Sequence, residues 1–210
     1  MTDERKKHWQ TVYQTKSSTD VSWYQFVPNR SLELIKSAAM LPEAAILDVG
    51  GGDCTLVDNL LAAGFTDITV LDISSAALDS AKSRLGAAAG GVVWIAADIT
   101  DWQPVRRFDL WHDRAVFHFL VDPTLRRRYL GVLQAALVPG GHVVIATFGP
   151  EGPTRCSGLD VQRYSVAELS AVLGSCFRLI RSHLDVHLTP AGREQQFLYG
   201  WWQAIGQKEK

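Results

Sequence analysis

The stretch that most constrains this chain is Ala45-Ile46-Leu47-Asp48-Val49-Gly50-Gly51-Gly52-Asp53-Cys54-Thr55. The apolar run from Ala44 to Val49 has the length and composition of a buried strand. Three consecutive glycines end it, and Thr55-Leu56-Val57-Asp58-Asn59-Leu60-Leu61 then takes up the apolar spacing of a helix. Strand, glycine turn and helix open a nucleotide-cofactor crevice, because residues without a Cβ let the backbone touch a ligand. A second apolar run, Ile68-Thr69-Val70-Leu71, ends on Asp72. That acid lies about 20 residues past the turn, a distance that suits a carboxylate bonded to a ribose.

Elimination narrows the cofactor. A dinucleotide fingerprint starting at Gly50 requires glycine at position 55, which holds Thr55, and one starting at Gly51 fails at Asp53. No G-x-x-x-x-G-K-[ST] phosphate loop occurs in the chain. What remains, Asp48-x-Gly50-x-Gly52, resembles motif I of the class I S-adenosylmethionine (SAM) methyltransferases. Many members carry a third alternate glycine where this chain has Cys54, a residue small enough for the turn to survive. Taken alone, the glycines also suit a tight turn in any doubly wound protein.

The order of elements strengthens the resemblance. Strands are expected at 68–71, 91–98, 108–112 and 142–148. Helices are expected after Ser74 or Ser75, after Asp122-Pro123 and from Val166 to Leu173, with a loop at Gly86 to Gly91. Strands alternating with helices imply a parallel sheet covered on both faces. The runs Phe177 to Leu188 and Gln195 to Trp202, joined through Thr189-Pro190-Ala191-Gly192, read as a hairpin. The expected fold is α/β: a doubly wound, mostly parallel seven-stranded sheet with a C-terminal antiparallel hairpin, Rossmann-like as in SAM methyltransferases. No repeat or linker divides the chain, so one domain over 1–210 is expected, with an aromatic flap over 1–27 and a catalytic core over 28–210.

The resemblance implies roles for particular residues. Asp48, Gly50, Gly51 and Gly52 would face the amino-acid half of the cofactor, Asp72 would hold its ribose, and Ile73 beside it would also contact the cofactor. Asp98 would accept from the adenine amino group while Ile99 packs on the ring. Leu137-Val138-Pro139-Gly140-Gly141 resembles the turn before the fifth strand, and the block from Phe108 to Leu120 resembles motif IV. His112-Asp113-Arg114-Ala115 stands where methyltransferases of planar amide nitrogens often carry Asn/Asp-Pro-Pro-Tyr, which disfavours such acceptors.

Methyl transfer needs an acceptor held in line and dry, and sometimes a base. His118 ranks first as base, against a structural role. His112 is expected beside the cofactor, Asp113 is a further candidate, and Arg114 can orient an acid. Trp23, in Val21-Ser22-Trp23-Tyr24-Gln25-Phe26, either packs in the core or belongs to a flap closing over the cofactor. Arg155 or Arg163 can hold an anionic acceptor, and Cys156 can line its pocket; solvent exposure is the alternative for each. His183 and His187 share a strand face but lack further ligands, so no metal is expected. Arg126-Arg127-Arg128 reads as a solvated helix face.

Composition bounds the partners. A formal charge of −1 gives no reason to expect nucleic acid, and the charged start Met1-Thr2-Asp3-Glu4-Arg5 is unlike an export signal. No long stretch free of glycine, proline and charge suggests a membrane span. Three scattered cysteines suit a reducing cytoplasm. The expected activity is methyl transfer from SAM, giving S-adenosylhomocysteine (SAH), to a small molecule. A protein lysine methyltransferase and a non-catalytic SAM-binding regulator are the alternatives.

Overall fold

The computed structural model describes residues 2–205; Met1 and residues 206–210, the ends of the expected domain, lie outside them. Helix α1 (Thr2–Thr15) and helix α2 (Asn29–Ser37) precede the first strand, β1 (Ile46–Val49). Then come α3 (Leu56–Ala62), β2 (Ile68–Asp72), α4 (Ser75–Leu85), β3 (Val92–Ala96), β4 (Phe108–Arg114), α5 (Pro123–Ala136) and β5 (Leu137–Phe148). A two-residue hairpin, β6 (Arg155–Cys156) and β7 (Leu159–Asp160), leads to α6 (Val166–Leu173), β8 (Phe177–Leu188) and β9 (Glu194–Ala204).

Side-chain chemistry sets several of these boundaries. Ser74 accepts from the Ala77 N–H to cap α4, and Asp122 accepts from Thr124 with Pro123 at the first helical position of α5. Ser165 and Glu168 form a reciprocal capping box on α6. The stretch Gly86–Gly91, expected as a loop, winds instead into a 3₁₀ helix, its repeated alanines permitting the tighter turn.

The main sheet has the order β3-β2-β1-β4-β5-β9-β8. All neighbours from β3 to β5 pair in parallel, and β9 runs antiparallel to both β5 and β8. This is the doubly wound sheet with a C-terminal hairpin that the sequence implies. Strand residues feed three buried clusters, one of which joins Leu34 of α2 to Val144, Ala146 and Phe148 of β5 and Phe197 and Tyr199 of β9. Leu47, Trp111, Val143 and Ile145 pack with Tyr129 and Leu133 of α5 and Leu169 of α6. Ile46, Ile68, Val70 and Leu110 pack with α2, α3 and α4.

The α5-facing cluster and the α3-facing cluster each carry a buried polar chain. In the first, Trp111 Nε1–H donates to Tyr129 Oη at 2.8 Å, and Tyr129 O–H donates to Asp113 Oδ2 at 2.6 Å. In the second, the cross-strand neighbours Asp48 and His112 meet at 2.7 Å, and His112 Nε2 reaches Ser31 Oγ of α2 at 2.8 Å. Tyr129→Phe removes one hydroxyl and strands two buried partners, so it should destabilise the fold by about 3 kcal/mol in a urea titration. An unchanged midpoint would show that water enters in place of the hydroxyl.

Candidate active site

The strand order reverses at β1, and in open α/β sheets ligands bind beyond the carboxyl ends at such a point. A cavity of about 870 Å³, counting its open mouth, lies there. Gly50, Asp72, Ile73, Asp98 and Ile99 line one half, at the ends of β1, β2 and β3. Arg114, Phe148, Cys156 and Phe197 line the other, at the ends of β4 and β5 and the nearby hairpin strands. Arg5, Trp9 and Tyr13 of α1, with Trp23, form the roof.

The glycine turn is shaped by close approach. Gly50 and Gly52 have φ of +66° and +45°, a region that favours glycine. A Cβ at Gly50 would lie 2.0 Å from Val116 Cγ2, and one at Gly51 would lie 2.5 Å from Asp48 Oδ2. Cys54 is not left-handed, so the absence of a third glycine leaves the turn intact. Asp53, buried at the end of the turn, bonds Ser18 of the N-terminal segment, Ser80 at 2.7 Å and Arg84.

The two acids of the glycine half differ. Asp72 is buried, accepts from Ser74 N–H at 2.8 Å, and faces the backbone of Gly52. Burial pushes its pKa up to about 7; the Ser74 bond works against this and the charge of Asp48 adds to it. Asp98 instead has both oxygens engaged. Oδ2 takes Arg5 Nη2 at 2.6 Å, and Oδ1 takes the Thr100 N–H at 2.9 Å and its hydroxyl at 2.8 Å. Asp98 is thus already paired with a cation of α1.

Helix α1 also holds the rest of the roof in place. Gln10 Oε1 accepts from Ser74 Oγ at 3.0 Å at the start of α4. Trp9 sits edge-on to Trp23 and Phe119, with centroids at 5.8 and 5.0 Å. The Tyr13 hydroxyl approaches the same point above Gly52 as Asp72 Oδ2. Burial, then the Asp72 charge, push the Tyr13 phenol well above its ordinary pKa. The aromatic N-terminal segment thus packs on the body and lines the cavity.

Three of the four expected catalytic residues are placed otherwise than the sequence implied. His118, ranked first as base, is fully buried, and its Nδ1 accepts from the Phe148 N–H at 3.2 Å. In the neutral ring Nε2 then carries the proton, leaving no free lone pair, and burial followed by the Arg114 charge lowers its pKa to about 3. His112 does not border the cavity: it is locked between Asp48 and Ser31 in the sheet. Asp113 points into the α5 core, where burial raises its pKa to about 6 against the pull of Tyr129. Its Oδ1 accepts from Val116 N–H at 2.9 Å, so it holds the turn after β4. Asp48, Gly51 and Gly52 shape the turn from behind the cavity wall. Arg114, Trp23, Gly50, Asp72, Ile73, Asp98 and Ile99 all line the cavity.

Cys156 also lines it, with burial raising its thiol. Arg155 and Arg163 do not: the first bonds Asp160 and Gly158, the second the Gly152 carbonyl. His187 Nε2–H donates to the Ser22 carbonyl at 2.8 Å, and no metal-binding cluster exists among the described residues. Of Arg126-Arg127-Arg128, Arg126 donates to the Leu120 and Val121 carbonyls, and Arg128 pairs with Asp101. Among the described residues no helix is long and apolar enough to cross a membrane.

Sequence reasoning missed Arg5, Tyr13, Phe119, Phe197 and Tyr199. Arg5 sits in a charged run that looks solvated, whereas the alternation of Phe197, Tyr199 and Trp201 along β9 marked an inward face.

Residues 47–143 match a family described as a methyltransferase domain. Nodulation protein S of Rhizobium tropici is 30% identical over 123 residues, 59% of this chain and 50% of that protein. Malonyl-[acyl-carrier protein] O-methyltransferase 1 of Ilyobacter polytropus is 30% identical over 105 residues, 50% of this chain and 38% of that protein. The matches thus span half or less of these curated relatives. The crystal structure of the N-methyltransferase NodS from Bradyrhizobium japonicum, solved with SAH, superposes with a TM-score of 0.71 at 17% identity. That match covers 94% of this chain and 98% of that one, and it shows the shared fold.

The state of His118 has a measurable signature. Its imidazole ionises near 6.5 when unfolded but only near 3 when folded, so its contribution to stability is complete above 6.5 and is lost as pH falls toward 3. The stability of His118→Gln should fall less steeply than that of the wild type between pH 7 and 4 in urea titrations. Equal slopes would mean that the histidine is hydrated.

Proposed function

We propose that this chain is a class I SAM-dependent methyltransferase that transfers a methyl group from SAM to a small-molecule acceptor, a reading supported by its matched segment and its fold. The observation that carries this reading is a single cavity with two unlike halves, one of glycine turn and carboxylates, the other aromatic. The residues fit the cofactor. Gly50 lines the cavity with bare backbone, a Cβ there being excluded by Val116, and Asp72 presents a buried carboxylate beside it.

In this reading Asp72 accepts from the ribose hydroxyls, Ile73 and Ile99 flank the base, and the glycine turn takes the amino-acid half. Bound there, the sulfonium supplies an activated methyl group, so no covalent relay through Cys156 is needed. The chain's own contribution is to orient the acceptor and exclude water under Trp9, Tyr13 and Trp23. Both carboxylates bordering the cavity belong to the cofactor half. The acceptor half offers only a neutral thiol and an arginine, which suits a nucleophile that is already unprotonated.

A roofed aromatic cavity favours a metabolite over a protein lysine. The relatives are named for methylation at nitrogen and at oxygen, so they leave the accepting atom open. The whole chain acts as one catalytic domain with residues 1–27 as its flap. It works without nucleic acid, and its unpaired Cys54, Cys156 and Cys176 suit the cytoplasm.

Methyl-labelled SAM incubated with protein and a size-fractionated cell extract should place label in the metabolite fraction; label on protein would overturn the small-molecule reading. The cofactor site makes a separate prediction. Asp72→Asn should weaken SAH binding in calorimetry by about 2 kcal/mol. Because the ribose donates to an ionised carboxylate, wild-type affinity should fall about tenfold per unit of pH below 7, the Asp72 proton having to leave first. An affinity independent of pH and of the substitution would remove Asp72 from the site.

A further inference from the structure

We propose that the acceptor is an anion, a carboxylate carried on a flat apolar body, and that Arg114 is the residue that selects it. The inference rests on the methyltransferase reading above and adds the class of acceptor.

Arg114 closes β4 and lines the acceptor half of the cavity. Its Nε–H donates to Tyr199 Oη at 3.0 Å, and Nη1–H donates to the Trp23 carbonyl at 2.9 Å. The guanidinium lies over the Phe197 ring, 4.8 Å from its centroid. All three contacts are with neutral groups. Nη2 is cut off from water and has no hydrogen-bond partner. None of the ion pairs among the described residues includes Arg114, and the adjacent acid, Asp113, is turned into the α5 core by Tyr129.

The other arginines near the cavity are neutralised: Arg5 pairs with Asp98, and Arg84 with Asp53 and Asp58. Arg114 is the exception. A guanidinium keeps its charge at any ordinary pH, so a partly buried one without a counterion carries a cost that a ligand supplying the anion would offset. The charge acts on its surroundings, lowering the pKa values of His118, His187 and Cys156 against or beside the larger effect of burial.

Position argues for the acceptor over the cofactor. Tyr199 and Phe197 stand on β9, on the opposite side of β1 from Asp72 and Asp98. Two sides of the guanidinium are committed, and Nη2, the nitrogen without a partner, is closed off in this structure, so a carboxylate would meet it once the side chain turns it toward the cavity. Around it the walls are Trp23, Phe148, Cys156 and Phe197, which suit an apolar, planar body and no second charge.

The test uses the full chain saturated with SAH and a series of aromatic carboxylates (benzoate, phenylacetate, indole-3-acetate and 1-naphthoate), each beside its neutral amide. Calorimetry should find at least one acid bound about tenfold or more tightly than its amide. Arg114→Met should abolish that preference while keeping SAH affinity within about twofold, and Arg114→Lys should retain part of it. A wild type that prefers no acid overturns the proposal. So does an Arg114→Met protein, folded by circular dichroism, that loses SAH instead, since Arg114 would then serve the cofactor. If Arg114→Met does not fold, the acid–amide comparison on the wild type and on Arg114→Lys decides alone. A wild type that binds no SAH overturns the methyltransferase reading itself.

Discussion

The buried carboxylate of Asp113 governs the geometry on which both halves of the cavity depend, because it fixes the turn that ends β4. One oxygen is held by Tyr129 of α5, and the other accepts from the Val116 and Phe117 N–H groups. Between them Ala115 is forced to a φ of +72°, a strained value for a residue with a Cβ. The strain has a positional consequence. Arg114 is turned toward the acceptor half, while Val116 is pressed onto Gly50 closely enough to forbid any side chain there. One carboxylate on the helix side of the sheet thus sets the wall of the acceptor half and the floor of the glycine half together.

The second polar chain works from the opposite face. Asp48 and His112 are cross-strand partners on β1 and β4, and Ser31 of α2 completes the row. Among Ile46, Val70 and Leu110 such a chain needs full satisfaction, since a half-satisfied buried network is worse than an apolar one. Here each ring nitrogen of His112 has a partner. Asp48 also lies where a Cβ of Gly51 would fall, so the motif I acid acts as a structural support behind the turn. The two chains pin β1 to β4 and β4 to α5, which gives the switch point a rigid frame under a roof held by separate polar contacts.

The doubly wound fold was legible because apolar runs, glycine turns and caps agreed along most of the chain, and Ser74, one of two serines expected to start α4, and Asp122 cap their helices in the structure. The glycine-lined half of the cavity was legible for the same reason: Gly50, Asp72 and Asp98 sit at strand ends, and strand ends are visible in an apolar pattern. The acceptor half was not. His112, Asp113 and Arg114 are consecutive on one strand; alternation turns Asp113 to the face opposite His112 and Arg114, and the surroundings of each are decided by elements distant in sequence. Nothing in the local pattern says that Tyr129 will claim Asp113 or that Ser31 will claim His112. The Arg5–Asp98 pair spans 93 positions and depends on how α1 lies across the sheet.

The burial that withdraws the histidines also reassigns the chemistry of the acceptor half. A base there would need a lone pair open to the cavity, yet His118 has given its own to Phe148 and His112 is held within the sheet. What faces the cavity from β4 is a permanent cation. A cation cannot take a proton from an acceptor, but it can hold one that arrives ionised and lower the cost of desolvating it. Burial and Arg114 act together here: the field that depresses His118 and removes it as a base is the field that favours an anion beside Phe148 and Phe197. An acceptor half built this way selects by charge and shape, and leaves the reactivity to the sulfonium.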